Sequence, residues 1–96
     1  MAVALSGTFT SATASSSIEP VGDFNMSLSG TFVATVNLER SYDSGTTWVV
    51  VDTFSSTAEK IGEEVENDIP HRFNATAYTS GTVTYRLGQA DRQKST

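Results

Sequence analysis

The chain has 96 residues, no cysteine, a formal charge of −5 and a pI near 4.5. That length fits one domain with a thin core, roughly a third of the unfolded surface staying exposed, and no disulfide can staple it. The acidic balance and the scatter of Arg40, Lys60, Arg72, Arg86, Arg92 and Lys94 exclude a nucleic-acid binder, which needs clustered cations over phosphates, and "AVAL" and "WVVV" are too short to cross a membrane.

Residues 1–23 read as an N-terminal strand or arm. "VALSGTFTSATASSS" offers one or two short strands running into a Ser-rich loop, and the first residues lack the basic and long apolar regions of a signal peptide. Alternation becomes clear at Phe24. Phe24, Met26 and Leu28 share one face, opposite Asn25, Ser27 and Ser29. After a turn at Ser29-Gly30-Thr31, Phe32, Ala34, Val36 and Leu38 form the next inward set, leaving Val33 outside. "TTWVVVDTF" puts Trp48, Val50 and Phe54 inward against Val49, Val51 and Thr53; Asp52 breaks the pattern, so this strand should twist, bulge or lie at an edge.

A short edge strand near Thr57 to Ile61 and a solvated acidic loop to Pro70 follow. "HRFNATAYT" then directs Phe73, Ala75 and Ala77 inward, Thr79-Ser80-Gly81 turns the chain, and Val83, Tyr85 and Leu87 close the core. Residues 89–96 are a polar C-terminal tail. Ser and Thr make up more than a quarter of the chain, and Val, Thr, Phe and Tyr fill the patterned stretches, as pleated, half-buried strands favour. The expected architecture is all-β: a small antiparallel β-sandwich or jelly-roll-like domain of six to eight strands, with its core in residues 24–88. Ser-Gly-Thr followed by Phe or Val occurs at Ser6, Ser29 and Ser80; unequal spacing rules out a solenoid and suggests a repeated turn-into-strand device.

Between two strand patterns lies "SYDSGTTW", Ser41 to Trp48. It resembles the Asp-box of sialidases and related glycan-processing propellers, with Ser41, Asp43, Gly45, Thr47 and Trp48 in the motif positions. A propeller needs at least four blades, which this chain cannot supply. The residues suit a hairpin: Gly45 for positive φ, Asp43 to accept turn N–H groups, Trp48 to pack beneath. The motif is therefore expected to be structural. A sialidase-like site would need converging arginines and a tyrosine nucleophile; Arg72 and Arg86 are the candidate cross-strand neighbours.

The other constellations carry less. His71 is the only histidine, read as a strand-edge residue. "GEEVEND" lacks any Ca²⁺-loop spacing, so no metal and no cofactor are expected. Tyr42, Trp48, Tyr78 and Tyr85 could form a sugar-stacking platform, though Trp48 and Tyr85 are expected in the core. Asn25-Met-Ser and Asn74-Ala-Thr match the glycosylation sequon by chance in a Ser/Thr-rich chain.

"FNMSLSGTFVATVNLERSYDSGTTWVVVDTF" and "AYTSGTVTYRLGQ" resemble small β-rich virion structural proteins of tailed bacteriophages, of tail-fibre or capsid-decoration type. The resemblance spans residues 24–88. It implies a non-enzymatic virion component made in the host bacterial cytoplasm, most readily tail-fibre-associated. Capsid decoration, or a small carbohydrate-binding module touching host-surface glycan, are the alternatives. It also implies a homo-oligomer, a trimer first, that meets other virion proteins. Val33, Val49 and Val51, apolar residues opposite the inferred core set, are the candidate contact surface.

Overall fold

In the computed structural model, which describes residues 3–20, 22–66 and 69–89, seven strands form two antiparallel sheets without a helix. They are β1 (Val3–Phe9), β2 (Gly22–Ser29), β3 (Phe32–Arg40), β4 (Val49–Phe54), β5 (Ala58–Glu64), β6 (His71–Gly81) and β7 (Val83–Gln89). One sheet has the order β1-β7-β2-β5, the other β4-β3-β6. This four-plus-three division is a small β-sandwich.

Period-two alternation explains the core. Phe24, Met26 and Leu28 of β2 and Val83, Tyr85 and Leu87 of β7 face Val36, Leu38, Phe73 and Ala75 across the sandwich, all buried. β1 adds Leu5 and Phe9, and pairs with β7 along its whole length, so the sandwich begins at Val3 rather than at Phe24. Phe9 stacks on Tyr85 with ring centroids 4.6 Å apart, and Phe73 of the other sheet meets the same tyrosine at 5.4 Å, tying the two layers together. Residues 13–18 run along the outer edge of β6. Ser15 N–H donates to Phe73 O, Ala75 N–H to Thr13 O, and Ile18 and His71 exchange two backbone bonds. The Ser-rich stretch thus covers an edge whose N–H and C=O groups would otherwise invite another strand.

The three Ser-Gly-Thr segments have two different uses. Gly30 and Gly81 lie at neighbouring crossings from one sheet to the other, both with positive φ, and Thr82 N–H donates to Thr31 O at 3.0 Å between them. A Cβ on Gly30 would meet Thr82 O, and one on Gly81 would overlap Thr31 O. The third copy turns nothing. Gly7 lies inside β1, where a side chain would strike the Tyr85 ring.

Three inward assignments are corrected, two of them by bulges. On β4, Asp52 pairs with Leu38 while Val50 pairs with Glu39, which leaves Val51 as an extra residue at an edge strand. Val50 is therefore exposed, and Trp48 ends the loop half-buried outside the core. Two register shifts between β3 and β6 move Ala77 to the surface and bring Tyr78 against the core in its stead.

Candidate functional site

The candidate site is the pole of the sandwich where β3 ends, β4 and β6 begin, and β5 stops. Its loop, Ser41 to Trp48, joins β3 and β4 within one sheet. Ser41 is fully buried; its amide donates to Pro70 O at 3.0 Å, and its hydroxyl donates to Asp43 Oδ1 at 2.7 Å. The same hydroxyl oxygen accepts from the N–H of Asp43 and of Gly45, while Asp43 Oδ1 accepts from the N–H of Thr46 (3.1 Å) and Thr47 (2.7 Å). Two short side chains thus satisfy the turn's backbone donors. Ser44 and Gly45 both have positive φ, 60° and 93°, and the Trp48 ring lies 3.5 Å from where a Gly45 Cβ would be. Gly45→Val is expected to lower stability by about 1 kcal/mol or more, because a β-branched residue is strained at such a φ. Thermal unfolding checks it; an unchanged melting temperature would mean the loop readily adopts another turn.

The loop's donors act on Asp43 itself. Hydrogen bonds from the Thr47 amide, then from the Ser41 and Thr47 hydroxyls, lower its pKa from 3.8 to about 2. A depressed carboxylate stabilises the fold above its unfolded pKa, and that contribution is lost as pH falls from 3.8 towards 2.

Behind the loop lies a charged network that the sequence concealed. Glu64, the last residue of β5, is 3 % exposed, and its Oε2 receives Arg40 Nη2 at 2.6 Å and the Glu66 amide at 3.0 Å. Glu64 Oε1 lies 3.4 Å from His71 Nε2. His71 is 2 % exposed, its Nδ1 3.0 Å from Ile69 O and its ring edge-on to Phe24. On the outer face of the three-stranded sheet, buried Glu39 holds Arg72 Nε at 2.8 Å and Asn74 Nδ2 at 3.2 Å. The two arginines lie over the aromatics of the loop: Arg72 over Trp48 at 4.3 Å and Arg40 over Tyr42 at 4.9 Å.

Burial holds the His71 pKa below its ordinary 6.5, and Arg40 adds to this, against the pull of Ile69 O and Glu64. Because the unfolded chain then binds the proton first, stability should fall as pH drops below 6.5, by at most about 1.4 kcal/mol per pH unit for one proton. Chemical denaturation at a series of pH values checks this, with His71→Gln as control. A wild-type profile parallel to that of the variant would contradict it.

The structure brings Ser41, Asp43, Gly45, Thr47 and Trp48 into one turn. It places Val49 and Val51 on the adjoining edge strand and Val33 at the far end of β3. Other expected groupings do not form. His71 opens β6, an edge strand of its sheet, with its side chain enclosed, and Glu64 leaves the acidic loop for the interior; Asn67 and Asp68 lie outside the described residues. Arg72 and Arg86 are on different sheets, with Arg86 reaching Asn25 at 3.3 Å, so they are not cross-strand neighbours. Tyr85 is in the core and Tyr78 donates to Gly81 O, which leaves no four-ring platform. No group of three metal-ligating side chains occurs among the described residues. The signal that could have found the network was the register itself: Glu39 opposite Arg72, and Arg40 opposite His71. Between β4 and β5 a groove of about 290 Å³ runs from this pole, floored by Phe24, Met26, Leu38 and Phe54, with Lys60 and Asp52 3.6 Å apart at its mouth.

Comparison with known proteins finds no matching family model, no matching curated protein and no matching solved structure.

Proposed function

We propose that this protein is a non-enzymatic structural component of a tailed-bacteriophage virion, most readily associated with the tail fibre, that works as a homo-oligomer, with a trimer favoured. The motif at Ser41–Trp48 has the role of an Asp-box used for folding, its side chains being spent on the turn's own N–H groups. The observation that carries the reading is apolar surface on a thin sandwich: Val33 is 59 %, Val49 45 % and Val51 49 % exposed. Apolar side chains in that state are covered when copies of the chain, or neighbouring virion proteins, pack on them. The resemblance of residues 24–88 to small phage virion proteins supplies the particle and the number three. Capsid decoration is the alternative position on the same particle. Contact with host-surface glycan is favoured only by Tyr42, which is 58 % exposed at the loop.

Light scattering on the purified chain is expected to give a mass above that of the monomer, and immunogold labelling of purified particles to mark tails. Val33→Ser and Val51→Ser are each expected to weaken association at least tenfold without loss of fold. A strict monomer at high concentration, with both variants still binding particles, would overturn the contact surface. Label on heads alone would select decoration.

A further inference from the structure

His71 is the chain's single histidine, and both of its ring nitrogens face oxygen: Nδ1 lies 3.0 Å from Ile69 O and Nε2 3.4 Å from Glu64 Oε1. A neutral imidazole carries one N–H, so it serves one of the two acceptors and turns a lone pair towards the other. Only the doubly protonated ring fits both. The surrounding groups are few. β2 offers the edge of Phe24, which is apolar, and residues 13–18 approach with the Ile18 backbone. β3 contributes Arg40, bonded to Glu64 and 3.9 Å from Glu66 just beyond β5. Arg40 balances Glu64 within this enclosure, the Glu66 side chain being 56 % exposed, so a proton on His71 gives the Glu64 carboxylate a second cationic partner.

We propose that His71 is a proton-operated clasp between the start of β6 and the end of β5, and that it bears on the Ser41–Trp48 loop. Singly protonated, the ring donates to Ile69 O and leaves Glu64 to Arg40. On taking a second proton at Nε2, it donates to Glu64 as well, and the carboxylate is held by two cations. The route to the loop is short. The carbonyl of Pro70, which links Ile69 to His71, accepts the Ser41 amide, and Ser41 anchors the turn through Asp43 and Gly45. The clasp is independent of the virion assignment, and its test reads the isolated chain.

A tag-free sample has one imidazole, so long-range ¹H–¹⁵N correlation spectra report its tautomer and charge without mutation. At pH 8 the expected state is Nδ1–H with a bare Nε2. On acidification Nε2 gains its proton with a midpoint below that of free histidine, and the Ser41 and Glu66 amides shift with the same midpoint. In Glu64→Gln the Ser41 shift is expected to shrink at least twofold. An Nε2–H tautomer at pH 8, a ring that stays singly protonated until the chain unfolds, or titration without movement at Ser41 would each overturn the clasp. Should Glu64→Gln fail to fold, the wild-type spectra decide alone.

Discussion

Gly81→Val is expected to cost about 3–5 kcal/mol, enough to remove most of the stability of a domain this small. Two costs coincide there. Gly81 has φ +89°, where a β-branched side chain is strained, and its Cβ would overlap the Thr31 carbonyl oxygen and crowd Phe32 Cα. Those atoms are backbone at the neighbouring crossing, where Thr82 N–H also bonds Thr31 O, so neither chain can retreat without opening the corner. Gly7→Ala is the informative contrast. Its Cβ would meet the Tyr85 hydroxyl and ring rather than backbone, and Gly7 has no positive φ to add strain, so a smaller loss is expected. Urea denaturation of the two variants measures both. A Gly81→Val protein within 1 kcal/mol of wild type would show that the paired crossings are not rigid.

Glu64→Ala is expected to cost about 3 kcal/mol at neutral pH, because it leaves the Arg40 guanidinium facing a space without a counter-charge. That cost lies at the low end for broken buried pairs because the Arg40 side chain is 23 % exposed and can partly rehydrate. The same substitution in an Arg40→Met background should cost at least 1 kcal/mol less, since the unpaired cation is then gone. Additive losses in that cycle would assign the cost of Glu64→Ala to lost packing and the Glu66 amide bond instead of to the ion pair.

The cycle also bears on what stands behind the loop. Arg40 bonds both Glu64 and the Tyr42 hydroxyl, at 2.6 and 2.9 Å, so it joins the buried network to the exposed tip. Arg72 does the same between Glu39 and Trp48. Both aromatics of the loop are thereby braced by guanidinium groups whose own partners are buried carboxylates. Loss of Glu64 should therefore loosen the loop as well as the β5 end.

The amino-acid sequence by itself determined the all-β class, the run of strands from Phe24 to Leu87 and most of the core. Alternation has a period of two, and each strand buries one face whatever its neighbours are. It also determined the turn at Ser41–Trp48, because short polar side chains and a glycine act within a few residues of themselves. Tertiary structure alone decided the rest. Sheet membership placed Arg72 and Arg86 apart, since β6 and β7 adjoin in sequence yet belong to different sheets. Bulges sent Val50 and Ala77 outward and brought Tyr78 in, because one extra residue reverses every face beyond it. The burial of Glu64 and His71 depended on Arg40 arriving from 24 residues away, and no local pattern marks a charge that will find its partner only across the sandwich.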